Sequence, residues 1–302
     1  MSSVLEKFKC VFTKEQLLFD EPMSRHTSFK IGGNADLVFL PSSLDDIINS
    51  INILREYDMP YFVMGNGSNL LVSDEGFRGV IIKLSNNLSS ITFNYDTVTV
   101  DCGTLLSSLA NTCMKKNLSG LEFAAGIPGT LGGAVTMNAG AYDGEIGDYL
   151  TSALVLTKDC STTILSKEQL NFGYRRSIIQ SGNLIVLSAT FALTGEKDHS
   201  SIKCKMLELS KKRTASQPLD LPSAGSTFKR PHGGFAAKLI TDSNLSGYSI
   251  GGAKISEKHN GFIVNIGNAT ASDVLKLIEH IKTTVMKNFN IELETEVKII
   301  GV

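Results

Sequence analysis

The segment from residue 120 to residue 147, GLEFAAGIPGTLGGAVTMNAGAYDGEIG, constrains the fold of this chain more than any other feature. Glycine occupies positions 126, 129, 132, 133, 140 and 144, and most of the other side chains are small or apolar. A surface linker would be more polar than this. Because long irregular segments inside compact domains usually carry function, this segment predicts a loop that forms part of a binding site.

The first glycine-rich loop along the chain, GNGSNLLVSDEGFRG (65–79), directly follows the apolar run YFVM, and residues 120–147 form the second glycine loop. It begins like the dinucleotide-binding fingerprint, but Leu70 stands where that motif needs glycine. The phosphate-binding pattern GxxxxGK[ST] occurs nowhere in the chain. The loop therefore argues against a Rossmann fold and against a P-loop, and taken alone it is more simply interpreted as a tight connection.

Together, the two loops favour a cradle for a ligand. Glycine allows positive φ and lets a ligand approach the peptide plane. Successive backbone N–H groups in such turns form concavities that suit a pyrophosphate. The small, apolar character of residues 120–147 suits a flat aromatic ring and its phosphates, as in a flavin.

Composition excludes several classes of protein. With 302 residues, the chain is long enough for two domains or for one large domain. Its formal net charge of −1 generates no positive field that would attract nucleic acid. The basic run KKR at 211–213 is typical of the solvated face of a helix, although it could instead help to hold an anionic ligand.

Targeting and metal-binding patterns are missing from the sequence. The N-terminal MSSVLEKFK lacks the apolar core of a signal peptide, and the longest apolar stretch, 184–193, is too short to span a bilayer. We therefore expect a soluble, cytoplasmic protein. The five cysteines are widely spaced with no CxxC, and the five histidines form no HxxxH or HExxH. We expect neither a disulfide framework nor a metal site.

Hydrophobic periodicity alternates between strands and helices along the chain. Residues 42–60 have one apolar helical face between two strand-like runs, 37–41 and 61–65, and this β-α-β pattern suggests a parallel pair. The polar, proline-containing region 195–222, which includes a helix to about Arg213, indicates a domain boundary. Further predicted elements are strands 79–84 and 184–194, hairpins 90–103 and 153–166, helices 104–116 and 270–290, and a terminal strand within 291–301.

Four polar groups look out of place for a purely structural role. They are Tyr174 with Arg175, Ser226 with Lys229 and Arg230 close behind, Lys258 with His259 before a strand, and Glu296 just inside the terminal strand. Each has a structural alternative, such as a salt-bridged surface arginine, a turn, or a glutamate exposed on the strand face opposite Val297. An arginine, a serine and a glutamate could stabilise an enolate and deliver a proton, but the sequence gives no distances between them.

Seven motifs, in this order, cover the chain from about residue 21 to its end. They are RHTSFKIGG (25–33), GNGSNLLVSDEGFRGVII (65–82), GLEFAAGIPGTLGGAVTMNAGAYDGEI (120–146), FGYRRS (172–177), GSTFKRP (225–231), FAAKLITDSNLSGYSIGGAKISEKHNGFIVN (235–265) and LETEVKIIG (293–301). Each is weakly specific alone, but the ordered set is highly specific. It resembles the UDP-N-acetylenolpyruvoylglucosamine reductase (MurB) family, and the short span from Arg175 to Ser226 suggests its shorter branch.

The resemblance implies an α+β fold. The expected architecture is a vanillyl-alcohol-oxidase-like (PCMH-type) FAD-binding domain plus a smaller α+β substrate domain. The implied division is an N-terminal segment (1–29), the FAD-binding domain (30–195) and the C-terminal substrate-binding domain (196–302), whose last strand returns Glu296 to the active site. This fold agrees with the absence of the Rossmann dinucleotide fingerprint from the sequence.

The resemblance also implies an FAD-dependent, NADPH-consuming oxidoreductase (UDP-N-acetylmuramate dehydrogenase). It would reduce the enolpyruvyl ether of UDP-N-acetylglucosamine-enolpyruvate to UDP-N-acetylmuramate in peptidoglycan synthesis, and hence serve cell wall biogenesis, cell shape and cell division. Hydride would pass from the flavin to the β-carbon, and Ser226 would protonate the α-carbon. We expect a cytoplasmic monomer without nucleic-acid or membrane partners.

Site residues follow from the same motifs. By resemblance, Arg175, Ser226 and Glu296 are the catalytic arginine, proton donor and glutamate, and Tyr174, Lys229 and Arg230 contact substrate. The residues expected to hold FAD lie in the two glycine loops; they are Val63, Met64, Gly65, Asn66, Gly67, Ser68, Asn69, Gly126, Pro128, Gly129, Thr130, Gly132, Gly133, Ala134 and Asn138.

Two other classes of protein stay open. One is a flavoenzyme of the same fold that oxidises a small alcohol or hydroxy acid, which would react with oxygen and often carries a covalent flavin. No histidine lies within either glycine loop, which disfavours covalent attachment there. The other is a non-enzymatic nucleotide-binding module, in which Ser226 is a turn residue and Glu296 a surface charge.

Overall fold

The computed structural model describes residues 2–85, 87–142, 144–195 and 198–301. Its α-helices are α1 Ser2–Val11, α2 Leu44–Glu56, α3 Leu106–Lys115, α4 Leu131–Thr136, α5 Ile146–Tyr149, α6 Lys167–Leu170, α7 Ile178–Gly182, α8 His199–Ser216, α9 Ala236–Asp242 and α10 Ala271–Phe289. Its strands are β1 Leu17–Pro22, β2 Asn34–Phe39, β3 Tyr61–Met64, β4 Leu70–Val72, β5 Phe77–Lys83, β6 Ile91–Asn94, β7 Thr97–Asp101, β8 Gly140–Ala141, β9 Gly144–Glu145, β10 Leu150–Leu156, β11 Thr162–Ser166, β12 Ile185–Ala192, β13 Ser223–Ser226, β14 Ser249–Ile250, β15 Ala253–Ile255, β16 Phe262–Asn265 and β17 Lys298–Ile300.

Three larger sheets organise these strands. Their orders are β1-β2-β5-β3, β11-β10-β12-β7-β6 and β13-β16-β15-β14. Strand β5 lies between β2 and β3, so the parallel pair suggested for the strands around α2 is wrong; β3 pairs in parallel with β5 instead. The order of strands in a sheet depends on contacts that are distant in sequence, which local periodicity cannot supply.

Elements with clear periodicity form as expected. The hairpins β6–β7 and β10–β11 are antiparallel, as the alternation predicts. Helix α10 begins after Thr270, whose side chain accepts a hydrogen bond from the backbone N–H of Asp273, and this capping box explains its start. The predicted apolar face of α10 is buried, from Val274 to Val285.

The described residues divide into two compact units. Unit 1 comprises residues 1–18, 37–66 and 79–213, and unit 2 comprises 19–36, 67–78 and 214–302. The units differ from the predicted domains in three respects. The predicted N-terminal segment 1–29 divides between the units after residue 18, segments 19–36 and 67–78 belong to unit 2, and the change of unit lies near the end of α8 instead of before it. Residue 196, where the predicted C-terminal domain begins, lies outside the described residues.

Among the described residues, unit 1 has two large apolar cores and a smaller cluster formed by Ala110, Ile202 and Met206. One lies under the β11-β10-β12-β7-β6 sheet and includes Leu109, Leu131 and Phe191, and the other includes Phe8, Phe39 and Ile82. Helix α8 contributes Leu209 to the first core. This burial explains why α8 belongs to unit 1 although its sequence reads as part of a boundary region.

Unit 2 is built around α10 and the β13-β16-β15-β14 sheet. Its core contains Leu277 and Ile281 of α10 together with Ile255 and Ile263 of the sheet. Strand β17 pairs in parallel with β4, which places the end of the chain beside residues 70–72. Among the described residues, none of the helices is both long enough and apolar enough for a membrane span.

Candidate functional site

The two glycine loops meet inside unit 1. The side-chain amide of Asn66 donates a hydrogen bond of 2.8 Å to the carbonyl oxygen of Pro128. A Cβ atom placed on Gly65 would lie 2.1 Å from the Oγ1 atom of Thr130, so only glycine fits at position 65 without displacing Thr130. The structure thus brings residues 65–66 and 128–130 together, although 62 residues separate Asn66 from Pro128 in the chain.

The meeting point of these loops has hydrogen-bonding groups without partners. The Oγ1 atoms of Thr104 and Thr130 are buried and have no hydrogen-bond partner among the described residues. Backbone N–H groups of Gly129, Thr130 and Gly133 also donate to no described acceptor; Gly133 is an exposed residue in the first turn of α4, where the N–H groups of a helix are open to solvent or to a ligand. The N–H of Leu131 donates instead to the carbonyl of Thr104 at 2.8 Å. An unsatisfied buried hydroxyl costs about 1–3 kcal/mol, so this set of donors fits a ligand that carries acceptor oxygens.

The other predicted cofactor residues of unit 1, apart from Asn138, lie on elements that adjoin the two loops in the chain. Val63 and Met64 end β3, and Gly126 ends a short 3₁₀ turn; Gly132 and Ala134 lie in α4. Gly132 packs so closely that a Cβ there would lie 3.1 Å from the Cβ of Cys102. Gly126, Gly132 and Ala134 add little or no side chain, so other groups can approach the backbone closely at these positions.

Asn138 is fully buried, and both ends of its side chain hydrogen-bond to backbone. Its Oδ1 accepts from the N–H of Gly147 at 2.9 Å, and its Nδ2 donates to the carbonyl of Gly173 at 3.2 Å. Because these bonds occupy the amide, Asn138 positions the turn at 173–176 against the second glycine loop.

Arg175 lies on that turn. Gly173 and Arg176 exchange two backbone hydrogen bonds of 3.0 and 3.1 Å, and Arg175, with φ of +54°, occupies the left-handed region that non-glycine residues rarely adopt. Its guanidinium donates to the carbonyl of Gly140 at 2.9 Å and lies 5.1 Å from the centroid of the Tyr174 ring. The predicted catalytic arginine is therefore held against the end of the second glycine loop.

In unit 2, Ser226 ends β13 at an irregularity of the strand. The pairing of β13 with β16 shifts register between Ser223 and Ser226, and Gly225 between them has φ of +79°. A bulge of this kind re-aims the side chain that follows it. Ser226 is half-buried, and within the described part of the chain its hydroxyl has no hydrogen-bond partner.

Glu296 lies beside the residue that follows Ser226. Its N–H donates to the carbonyl of Thr227 at 2.8 Å, and its own carbonyl accepts a hydrogen bond of 3.0 Å from the side-chain amide of Asn69. Glu296 is half-buried and precedes β17, which begins at Lys298. The sequence predicted that Glu296 lies inside the terminal strand, and this is wrong because the strand begins two residues later. The alternative of an exposed glutamate on that strand is also wrong, because Glu296 is half-buried.

Gly67, Ser68 and Asn69, the last predicted cofactor residues, also belong to unit 2. Gly67 is buried with φ of +64°, and its carbonyl accepts a hydrogen bond of 3.1 Å from the N–H of Ser28. The N–H of Lys298 donates to the carbonyl of Asn69 at 3.0 Å. Asn69 thus hydrogen-bonds to the backbone of Glu296 and of Lys298. No motif in the sequence predicts this contact.

The basic residues near Ser226 have partners. The Lys229 ammonium pairs with the carboxylate of Glu294, and the guanidinium of exposed Arg230 lies 4.5 Å from the ring centroid of Phe235. Lys258, singled out with His259 in the sequence, donates to the carbonyl of Thr214 at 2.6 Å. Lys229 is therefore not a free cation that could activate a serine.

His259 is half-buried, and this burial lowers the pKa of its imidazole. Its Nδ1 accepts a hydrogen bond from the N–H of Gly261 at 3.2 Å. A histidine with Nδ1 as acceptor is neutral, so His259 serves the turn before β16. Within the described residues, no group of three or more His, Cys, Asp or Glu side chains could hold a metal ion.

Comparisons with known proteins agree with these features. The family model described as "FAD binding domain" matches residues 35–166, and that described as "UDP-N-acetylenolpyruvoylglucosamine reductase, C-terminal domain" matches residues 217–300. The chain is 52% identical over 295 residues to a UDP-N-acetylenolpyruvoylglucosamine reductase of Clostridium botulinum (strain Hall), covering 98% of this chain and 96% of that relative. It is 48% identical over 305 residues to one of Clostridium perfringens (strain SM101), covering 100% and 99%.

Solved structures give the same result. The structure of UDP-N-acetylenolpyruvylglucosamine reductase from Thermus caldophilus has a TM-score of 0.80 and 34% identity, and the match covers 94% of this chain and 99% of that one. Alkyldihydroxyacetonephosphate synthase matches at 17% identity with a TM-score of 0.51, and the match covers 65% of this chain and 41% of that one. At this identity the likeness shows a shared fold and nothing more. The predicted α+β, PCMH-type fold is confirmed.

Proposed function

The chain belongs to the UDP-N-acetylenolpyruvoylglucosamine reductase family, and from this premise we propose that it uses NADPH to reduce UDP-N-acetylenolpyruvoylglucosamine to UDP-N-acetylmuramate. Membership makes it an FAD-binding oxidoreductase of peptidoglycan synthesis and confirms the resemblance seen in the sequence. The use of NADPH and the role of each residue are part of the proposal, as are a cytoplasmic location and a monomeric state.

One observation carries the cofactor part of the proposal. The unpaired hydroxyl of Thr130 and the unpaired N–H groups of Gly129, Thr130 and Gly133 lie in the loop that Gly65 and Asn66 approach. Backbone donors grouped in this way bind phosphate oxygens. FAD held by these groups would supply the hydride-transfer chemistry that reduction of the enolpyruvyl group requires.

Arg175 is proposed to bind the carboxylate of the enolpyruvyl group. Negative charge that develops at the α-carbon spreads into this carboxylate, and a fixed guanidinium stabilises it better than a mobile ammonium does. The hydrogen bond to Gly140 and the turn at 173–176 support this role, because they hold the guanidinium before substrate arrives. Lys229 is a weaker candidate, since Glu294 already pairs with its ammonium.

Ser226 is proposed to donate the proton that the α-carbon accepts. A serine hydroxyl is a weak acid in water, but a carbanion-like enolate is a strong base, so donation needs position more than acidity. The bulge at Gly225 and the absence of a described hydrogen-bond partner leave this hydroxyl available. Because Ser226 is half-buried, solvent can return the proton after each turnover.

Glu296 is proposed to stabilise the enolic intermediate or to polarise the enol ether. Its backbone is held by Thr227 on one side and by Asn69 on the other. These two hydrogen bonds support a positioned carboxyl group. Replacement by glutamine keeps the shape of the side chain and removes the charge, so full turnover of Glu296→Gln would exclude the carboxylate from the mechanism.

The test separates the two halves of the reaction by stopped-flow absorbance. For Ser226→Ala we expect NADPH-dependent bleaching of the flavin to stay near the wild-type rate, while the substrate-dependent phase slows by about 10²- to 10⁴-fold, the usual effect of losing a positioned proton donor. Ser249→Ala, at an exposed serine in strand β14 of the same sheet, is the matched control and should leave both phases unchanged.

Three results would contradict the proposal. Unchanged rates in both phases of Ser226→Ala would exclude Ser226 as the donor. A purified wild-type chain that retains no flavin absorbance after incubation with FAD and removal of the unbound cofactor would refute the flavin assignment. Rapid flavin reoxidation by oxygen, with none by the enolpyruvyl substrate, would favour an oxidase that acts on a small alcohol or hydroxy acid.

A further inference from the structure

The basic run at 211–213, near the end of α8, divides into two kinds of side chain. Lys211 and Lys212 are exposed, and Lys212 pairs with Glu208 one turn earlier at 2.7 Å. Arg213 is half-buried instead. The two lysines therefore lie on a solvated helix face, as expected for such a run, but the arginine does not.

Arg213 packs against the second glycine loop of unit 1. A Cβ atom placed on Gly126 would lie 3.1 Å from Cδ of Arg213 and 3.4 Å from its Nη1. Both contacts are tighter than ordinary van der Waals packing. The missing side chain at position 126 therefore makes room for the arginine, which is a reason for glycine at a site where φ does not require it.

The guanidinium of Arg213 lacks a compensating anion. Within the described residues it forms no hydrogen bond and no ion pair. Burial lowers the pKa of Arg213, and the phenol of Tyr142 acts in the opposite direction without removing the effect. A partly desolvated guanidinium costs free energy unless an anion or acceptor oxygens meet it.

The same loop holds the other unpaired donors. The Thr130 hydroxyl and the N–H groups of Gly129, Thr130 and Gly133 follow Gly126 within a few residues. Backbone donors, a hydroxyl and a guanidinium are the groups that proteins use to hold a diphosphate, and arginine adds two parallel donors that lysine cannot supply.

We propose that Arg213 binds a diphosphate ester at the loop that starts at Gly126. This inference rests on the proposed function, which provides two such esters, the pyrophosphate of FAD and the diphosphate of the UDP-sugar. The role differs from the one proposed for Arg175, because it concerns binding of a diphosphate and not the charge that develops at the reacting carbons.

Two binding titrations test the inference and separate the two esters. FAD is titrated into the deflavinated full-length chain, followed by flavin fluorescence, and UDP is titrated into the FAD-loaded protein, followed by calorimetry. Arg213→Ala should weaken one of them by about 10- to 100-fold, the usual loss of a charge-assisted hydrogen-bonding partner. Arg213→Lys should fall in between, because it keeps the charge and loses the planar fork.

Lys211→Ala is the matched control, since it removes an exposed positive charge two residues away on the same helix. It should leave both dissociation constants unchanged. If Arg213→Ala and Lys211→Ala both weakened ligand binding tenfold or more, the effect would come from the general positive charge of the helix, and the inference would be overturned. If Arg213→Ala fails to fold, as judged by circular dichroism, Arg213→Lys carries the comparison.

The outcomes distinguish this inference from the proposed function. Weaker FAD binding assigns Arg213 to the cofactor, and weaker UDP binding assigns it to the substrate; either result supports the inference. Wild-type affinities for both ligands in the Arg213 variants would overturn it and leave the proposed function intact. A wild-type chain that binds neither FAD nor UDP would refute the proposed function and, with it, the inference.

Discussion

Gly65→Ala tests whether the two glycine loops are as close as the structure has them. The added Cβ would lie 2.1 Å from Oγ1 and 3.2 Å from Cβ of Thr130, which is too close for either atom to stay in place. Thr130 is buried, so it cannot rotate into solvent. Overpacking of this kind costs about 1–3 kcal/mol, and we expect Gly65→Ala to lower the free energy of unfolding of the FAD-free chain by that amount.

Gly133→Ala is the matched control for stability. A Cβ at Gly133 meets only Oγ1 of Thr130, at 3.9 Å, and the residue lies in helix α4. Alanine is favoured over glycine in a helix by about 0.5–1 kcal/mol, so this variant should be as stable as wild type or slightly more stable. Equal destabilisation of both variants in urea unfolding would refute the steric argument.

A double-mutant cycle locates the clash. Thr130→Ala removes the Oγ1 atom, which has no described hydrogen-bond partner, and should cost little in the FAD-free chain. In combination with Gly65→Ala it should restore at least about 1 kcal/mol, because the shortest overlap disappears. Strictly additive effects would show that the two residues do not touch. The same Thr130→Ala variant should bind FAD more weakly, since it removes a donor from the proposed phosphate site.

Two further predictions concern titratable groups. Asp273 accepts a hydrogen bond from the backbone N–H of Thr270, and this bond lowers the pKa of the Asp273 carboxyl group. The ionised carboxylate therefore stabilises the folded chain. That stabilisation is complete above the ordinary carboxyl pKa of about 3.9 and is lost as the pH falls through the lowered pKa of the folded state. Asp273→Asn should therefore show a shallower loss of stability between about pH 5 and pH 2 than wild type, in unfolding curves measured at several pH values. Burial raises the pKa of Cys102 and of Cys113 to about 12, so iodoacetamide at pH 8 should label exposed Cys10 in the native chain and spare these two, as read by mass spectrometry. Rapid native labelling of Cys102 would contradict the buried core around it.

Local signals were sufficient for the elements whose chemistry is local. The capping box of α10 and the alternation in the β6–β7 and β10–β11 hairpins can be read directly from neighbouring residues. The irregular, glycine-rich character of the two loops is equally local, and so is the failure of the dinucleotide fingerprint at Leu70. The ordered motifs added the family, which the comparisons confirm.

Tertiary structure alone decided which residues meet. The insertion of β5 between β2 and β3, the approach of Gly65 to Thr130 and the contact of Asn69 with Glu296 all join segments that are distant in the chain. Helical spacing places Arg213 on the same face of α8 as Ile202, Met206 and Leu209, and Lys211 and Lys212 off that face, but it does not say what the face packs against. The packing of Arg213 against Gly126 is a tertiary contact, because it depends on what lies opposite a side chain and not on its neighbours in sequence.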